Sequence, residues 1–498
     1  MTPATLYHTQ ALSFFGEQAA EQAAETHFVR RRSPLDGPLF LLSLVLTVYR
    51  HGRISLSLLA ATAETLRPET PLTEQAFKER FSAAAVAFLQ AMFALALTQT
   101  LPQSQVVTPL LGCFAAIYVL DATSIRLPAT LAAKFPGCGG AGPSAMLKCY
   151  LLLEWLTGSY QAWELQPGRK ADQDMGARFV PDTVAGALWL FDLGFFSGDF
   201  LRAVAQAHSY FLCRLPANYG QLQVQQADGV WAKWDLDRFL RCAPRQLFEL
   251  AVRVSTKEPL PVRLILAPVP LAVAQERRRK LRATARKQGR TPQAATLARC
   301  GWTLLLTNAP EVKLPTSVCL TVYRVRWQVE LVFKLWKGEA GLRTTLAQEK
   351  HRAECEIYAK FIALLYFNRL LGMLPGWLRS ELSEVKAWQQ LKCEWGKYWG
   401  SLRSAAAVNR LEALCDLVGR RAVRHKRGQK APGTRKLLAQ AESARKLVRL
   451  KNPWEYLSGR EQRDGSGKAQ WELEKYGVVA FPGFANVTEP KEEQALAA

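Results

Sequence analysis

The sequence predicts a mixed α/β protein, with a sheet-bearing core, a β-rich stretch interrupting it and helical segments on either side. Three observations predict it. Short apolar runs of buried-strand length follow one another between residues 106 and 209, with helical patterning beside the last of them. A second group of strand-like runs fills residues 210–315. Outside both regions the apolar residues recur at helical spacing. With 498 residues the chain is too long for one core, and its 49% hydrophobic content fits a folded, globular protein.

Taken in order, residues 1–30 read as a mobile or loosely docked leader, and the start MTPATLYHTQ lacks the basic and apolar regions of a secretion signal. From Ser33 to about Thr100 the pattern is helical, with polar breaks at His51–Gly52 and Arg67–Thr73. The most apolar stretches, Leu39–Val48 and Ala83–Leu97, fall short of the roughly 18 uninterrupted apolar residues of a membrane span and read as bundle helices. Pro71-Leu72-Thr73, followed by Glu74 and Gln75, reads as a capped helix start. The two helices around it suggest a helix-turn-helix-like DNA-binding unit, against the plainer alternative of a supporting bundle. Cys113–Leu120 is a buried-strand run ending on Asp121. Lys148–Trp155 and Tyr160–Leu165 are the next two strands, joined by the hairpin signal Thr157-Gly158-Ser159. Ala187–Phe191 is another apolar run, ending on Asp192. Tyr219–Gln226, Phe248–Val254, Val262–Pro268 and Trp302–Thr307 are strand candidates, interrupted by a basic segment at 275–290 with eight Lys/Arg against one Glu. From about Leu364 the pattern is helical and Trp-rich (Trp377, Trp388, Trp395, Trp399), and residues 420–451 carry twelve Lys/Arg against Glu442 alone. After Pro453 the periodicity is lost, and a partly disordered tail is expected.

The net charge of +23 asks for a polyanion, nucleic acid first and an anionic membrane surface second. Ten cysteines stand singly with no Cys-x2-Cys pair, which argues against a zinc site or disulfide framework and fits a reducing cytosol. Six histidines leave little material for a zinc hydrolase.

The segment YRVRWQVELVFKLWK carries Tyr323, Arg326, Glu330 and Lys337. In a single helix these four fall within an arc of about 60°, with Val325, Val329, Val332, Leu335 and Trp336 on the opposite, core-facing side. A carboxylate can hold a divalent metal, Arg and Lys grip phosphate, and Tyr adds a hydrogen bond. The bland alternative is a solvated, salt-bridged face. Asp121 and Asp192 each end an apolar run, and Glu330 would complete the three-carboxylate cluster that two hard cations need. Taken singly, an Asp at a strand end is as often a turn or cap residue. Asp172, Asp174, Asp182 and Asp199 compete for the second place, but Asp192 alone follows an unbroken apolar run.

That segment, with LDATSIRLP at Asp121 and LFDLGFFS at Asp192, resembles the insertion-sequence-four family of DDE transposases. The resemblance covers the layout of about residues 30–375. It implies an RNase H-like core bearing Asp, Asp and Glu, with a β-rich domain inserted before the Glu, and the 138-residue gap from Asp192 to Glu330 matches that insertion. The implied domains are 1–105, helical and DNA-binding; 106–209 and 316–375, the two parts of the core; 210–315, the β-rich insertion; 376–455, helical and basic; and 456–498, the tail. The family pattern makes Asp121, Asp192 and Glu330 the catalytic ligands of Mg²⁺, with Mn²⁺ as a substitute. It makes Tyr323, Arg326 and Lys337 binders of phosphates near the transposon end. The implied chemistry is cut-and-paste: Mg²⁺-activated water nicks each end, the freed 3′-OH attacks the opposite strand to form a hairpin, and the reopened end joins target DNA. Trp302, in GWTLLLTN, is the candidate to stack a flipped base, although it stands one residue early relative to the following Leu-Leu-Leu-Thr run, a slip that turns a strand side chain to the other face. Arg277, Arg278, Arg279 and Lys280 are expected to grip DNA, and so is 420–451, with contact to a second end across a homodimer as one option. The expected partners are double-stranded DNA, as terminal inverted repeats and target, and no membrane, in a bacterial cytoplasm at the nucleoid. Two rivals are a catalytically inactive, transposase-derived DNA-binding protein and a stand-alone RNase H-like nuclease.

Overall fold

The structure, a computed structural model, describes residues 2–99, 110–140, 142–216, 219–225, 230–243, 245–254, 258–343, 347–379, 382–423, 438 and 479–481. It divides into two compact units: Met1–Val107, Val119–Ala171 and Trp327–Gly428 form one; Thr108–Tyr118, Asp172–Arg326 and Gln429–Ala498 form the other.

The first unit is built around the helix Lys350–Gly372, in which every residue from Ala353 to Gly372 is buried. Helices Gly37–His51 and Ala83–Thr98 pack against it. Each N-terminus of this region is closed by a side-chain oxygen: Asp36 accepts from Leu39 N at 2.8 Å, Ser55 from Leu58 N at 3.2 Å, Thr73 from Ala76 N at 3.2 Å and Ser82 from Ala85 N at 3.3 Å. The helix start expected at Thr73 is therefore present, and Leu39–Val48 and Ala83–Leu97 lie in bundle helices as expected. The first helix of the region ends at Gly52, whose φ of +67° suits glycine. A Cβ there would also come 2.6 Å from the carbonyl oxygen of Glu339.

The expected loose leader is a correction. Residues Pro3–Ser13, Phe14–Gln18 and Ala19–Glu25 form successive helical segments, the middle one a π-turn. Tyr7, Ala11, Phe14 and Phe15 are buried at helical spacing, with the Phe15 ring 4.6 Å from that of Trp399. Alanines and polar residues between these four dilute the stripe, which is why it escapes a reading by hydrophobic density. Helix Glu384–Gly400 buries Trp388, Trp395 and Trp399, so the Trp-rich pattern is an aromatic core.

The first unit holds β2 (Met146–Glu154), β3 (Ser159–Pro167) and, from Val119 on, β1 (Ile117–Arg126), in the order β3-β2-β1. β2 and β3 are an antiparallel hairpin pairing Leu151 with Trp163. Its turn is held by Glu154, whose carboxylate accepts from Leu156 N at 3.1 Å and Thr157 N at 2.7 Å, and Gly158 takes φ +69°. β1 begins four residues after the expected Cys113 and runs five beyond Asp121. The continuation DATSIR alternates buried and open positions through Thr123, Ser124, Ile125 and Arg126, so pairing extends past the apolar run.

The second unit contains β4 (Leu188–Phe191), β5 (Tyr210–Arg214), β6 (Leu222–Gln225), β7 (Trp231–Lys233), β8 (Leu247–Val254), β9 (Leu260–Pro268), β10 (Trp302–Thr307) and β11 (Val479–Phe481). Their order is β4-β5-β10-β9-β8-β6-β7, with β11 also on β8. β4 and β5 are parallel, with helix Gly198–Gln206 between them in sequence, and the remaining pairs are antiparallel. The sheet is therefore mixed, and β5, β7 and β11 add to the strands expected from sequence. The basic segment at 275–290 lies largely in the helix Leu271–Lys287. Residues 424–451 fall outside the described residues except for Leu438, as does the tail except for β11. Among the described residues no single helix is long and apolar enough to cross a membrane.

Candidate active site

In the first unit, Asp121 is the fifth residue of β1, half-buried, and accepts a hydrogen bond from its neighbour's amide, Ala122 N, at 2.8 Å. It is an interior strand residue, which corrects the expected strand-end position. Glu330 lies in the first turn of the helix Gln328–Gly338, where the helix dipole favours a carboxylate, and Lys337 in its last turn, where the dipole favours a cation. The inner face is apolar as expected: Val329, Val332, Phe333, Leu335 and Trp336 are buried. Trp336 stacks on Trp163 of β3 with centroids 4.2 Å apart and planes 14° from parallel, and its indole N–H donates to the Tyr160 hydroxyl at 3.3 Å. With that face pinned to the hairpin, Glu330 and Lys337, seven residues apart, share another side. Burial pulls the Lys337 ammonium below the ordinary lysine range, Arg343 pulls the same way, and Cys149 and Asp121 oppose them. Lys337 is thus within electrostatic reach of Asp121.

In the second unit, Asp192 directly follows β4 and starts the 3-10 turn Leu193–Phe195. Gly194 in this turn lies close to Asp172: a Cβ there would stand 2.9 Å from its carboxylate oxygen, so that side chain would have to shift. Tyr323 is buried at 8% exposure, and its hydroxyl donates to Phe191 O, the carbonyl just before Asp192, at 3.2 Å. Burial pushes the phenol well above its ordinary value; Arg326 and Arg214 oppose this, and Asp192 adds to it. The Arg326 guanidinium lies 6.0 Å from the Tyr323 ring centroid.

The single-helix arc from Tyr323 to Lys337 is corrected too. The segment comprises the helix Cys319–Tyr323, a 3-10 turn over Arg324–Trp327 and the helix Gln328–Gly338. A tighter turn advances each residue by more than the α-helical angle, so the single-helix arc does not hold through Arg324–Trp327. The expected residues are thus grouped as Asp121, Glu330 and Lys337 in one unit, and Asp192, Tyr323 and Arg326 in the other. Among the described residues no group of three or more His, Cys, Asp or Glu side chains could hold a metal ion. Of the competing carboxylates, Asp172, Asp174 and Asp182 lie in 3-10 turns, and Asp199 lies in the first turn of the helix Gly198–Gln206, paired with Arg202. Asp192 remains the one that follows a strand.

Trp302 opens β10 at 5% exposure, with its ring 6.1 Å from that of Phe248, and in this structure it is a core residue rather than an open stacking platform. Arg277 donates to Trp302 O at 3.3 Å and Arg278 to Leu297 O at 3.1 Å, so both are turned into their unit. Arg279 is exposed and bound to Glu276, and Lys280 stands 4.0 Å from the same carboxylate. Charge counting included the other four cations of this segment, Arg282, Arg286, Lys287 and Arg290, but did not single them out, and all four are exposed. A helical wheel over 271–287 is the signal that finds the first two.

Residues 112–366, just over half the chain, match the family model described as the transposase DDE domain. The chain is 26% identical over 383 residues to the transposase for insertion sequence element IS231E of Bacillus thuringiensis subsp. finitimus, an alignment covering 73% of this chain and 80% of that one. It is 27% identical over 390 residues to the transposase for IS231F of B. thuringiensis subsp. israelensis, covering 74% and 80%. It is 24% identical over 387 residues to the transposase for IS1151 of Clostridium perfringens, covering 74% and 82%. With the match spanning Asp121, Asp192 and the Glu330 helix, the chain belongs to the DDE transposases of insertion sequences and is a DNA transposase.

Proposed function

We propose that this transposase cleaves and joins the ends of its element by divalent-metal-dependent phosphoryl transfer at Asp121, Asp192 and Glu330, through a hairpin intermediate. The observation that carries the proposal is the company each carboxylate keeps. Asp121 lies within electrostatic reach of Lys337, which shares a helix with Glu330, and Tyr323, with Arg326 over its ring, bonds the carbonyl just before Asp192. Carboxylates set among cations suit a phosphodiester, whose charge the cations meet while the carboxylates hold metal.

The DDE domain generally implies a divalent metal. As a donor set, three carboxylates with no thiolate or imidazole fit a hard cation such as Mg²⁺ or Mn²⁺, although the described residues do not gather three of them into one group. When bound, such cations polarise the attacking and leaving oxygens of the phosphodiester. This chain's own residues do the rest. Lys337 and Arg326 hold phosphate, and Tyr323 steadies the backbone that presents Asp192. The hairpin β2–β3 beside β1, and the parallel pair β4–β5, support an RNase H-like core. The helical residues before 105 are proposed to bind DNA, and the protein to act as a homodimer on paired ends.

The test uses DNA carrying the element's terminal repeats, taken from the flanking genomic sequence, with and without Mg²⁺. Hairpin products should form only with Mg²⁺ or Mn²⁺. Glu330→Gln should abolish nicking, hairpin formation and joining together while retaining DNA binding. Cleavage without metal, or full activity of Glu330→Gln, would sink the proposal. DNA binding without any cleavage by the unaltered chain would favour an inactive DNA-binding descendant instead.

A further inference from the structure

The helix Leu271–Lys287 divides its cations between two sides. Arg277 and Arg278 donate to backbone carbonyls of their own unit, and buried Ala274 with half-buried Leu281 and Ala285 lies on that same side. At about 100° per residue, Gln275, Arg279, Arg282, Ala283 and Arg286 occupy an arc of about 100° opposite, and all five are exposed. Lys287 and Arg290 are exposed at the helix end, where Gly289 takes φ +64° and Arg290 N returns to Ala285 O at 2.8 Å. Among the described residues, Arg282, Arg286, Lys287 and Arg290 make no side-chain hydrogen bond or ion pair. Glu276, the one acidic residue of the segment 275–290, holds Arg279 through two bonds of 2.7 Å.

We propose that this outer face, Arg282, Arg286, Lys287 and Arg290, is a docking surface for the sugar–phosphate backbone of duplex DNA, with Arg279 held in reserve by Glu276. The proposal rests on the chain's being a DNA transposase and moves the contact away from the inward-turned Arg277 and Arg278. Four like charges side by side in water repel one another, and a polyanion relieves that repulsion by releasing its own counterions. Arg279 to Arg286 spans about 10.5 Å at 1.5 Å per residue, the run of about three phosphates at 3.4 Å per strand. Guanidinium forks match phosphate oxygens. A membrane-surface helix would need its apolar side turned outward to lipid. Here Ala274, Leu281 and Ala285 face inward and the outer arc carries only Ala283 among its polar residues, so the face fits DNA. Long, exposed cations without a rigid base-reading partner bind the backbone irrespective of sequence.

The experiment measures binding of the full chain to a terminal-repeat duplex and an unrelated duplex between about 50 and 200 mM salt. Replacing Arg282, Arg286, Lys287 and Arg290 by Gln should flatten the salt slope by about 0.9 per lost contact, about 3 to 4 in all, equally on both duplexes. Lysine at the three arginine positions should keep the slope, and Glu276→Gln should steepen it by about 0.9 as Arg279 is released. Arg277→Gln with Arg278→Gln should lower the melting temperature and leave the slope alone. Circular dichroism reports whether each variant is folded. A wild-type slope retained by a folded quadruple variant overturns the proposal. So does binding to phosphatidylserine vesicles that the quadruple variant loses while its DNA binding is unchanged. A wild-type chain with no salt-dependent DNA binding would instead overturn the reading on which the proposal rests.

Discussion

Tyr323 sends its hydroxyl to the carbonyl of Phe191 from a ring that is 8% exposed, so its hydrogen atom is committed to the protein backbone beside Asp192. A phosphate contact and a backbone support make different predictions for Tyr323→Phe. Losing one neutral hydrogen bond to a buried carbonyl costs about 1 kcal/mol of stability. The support role predicts that loss together with a fall in the rate of strand cleavage, with DNA affinity and its salt slope unchanged. A weakened, less salt-dependent complex at unaltered cleavage rate would restore the phosphate role. What the sequence made legible at this scale is the position of Asp192 directly after a strand, because an unbroken apolar run marks that strand. Hidden from it was the direction of side chains such as Tyr323, Arg277 and Trp302, which long-range packing decides.

The helix bearing Glu330 and Lys337 is fixed at its far end by another helix. Lys360, 1% exposed on Lys350–Gly372, donates to Gly341 O at 2.8 Å, and the Glu356 carboxylate accepts from Ala347 N at 3.4 Å, so the two grip both ends of the connection after Gly338. Burial pulls Lys360 down to about 8 against an ordinary 10.5, with Glu356 opposing, while burial raises Glu356. Below pH 8 the folded and unfolded chains both hold this proton. Between pH 8 and 10.5 the unfolded chain binds more, so this group makes stability rise with pH across that window. Lys360→Met should cost about 1–3 kcal/mol by leaving the buried Gly341 carbonyl without its donor, while Glu356 keeps Arg352 at 3.2 Å. Thermal melts should show the gap between wild type and Lys360→Met widening from pH 8 to 10; a constant gap refutes the depressed lysine. Element by element, β10 and the β2–β3 hairpin were readable because a run of β-formers or a turn signal marks them. The 3-10 turn at Arg324–Trp327 and the extension of β1 past Asp121 were not, because both are set by neighbouring elements rather than by local periodicity.

Across the whole chain a net charge of +23 acts on folding and on binding with opposite sign. Without DNA, excess positive charge repels itself in the compact state, and salt screens that repulsion. Raising salt from about 50 to 200 mM should therefore raise the melting temperature of the unbound protein. DNA bound to the folded form stabilises it by mass action, about 2.7 kcal/mol when the duplex stands at a hundred times its dissociation constant. Over the same salt range a protein with six to ten phosphate contacts loses about 10³–10⁵ in affinity, so the increment that duplex gives should shrink toward zero. The two melting curves, with and without DNA, should thus converge from both directions as salt rises, and differential scanning fluorimetry reads both. The unbound curve carries the sharper information. Were its melting temperature to fall with salt, attractive pairs such as Arg263–Glu249 at 2.7 Å and Arg299–Asp237 at 2.5 Å would outweigh the excess cations, and the +23 would be compensated inside the fold rather than kept for a polyanion.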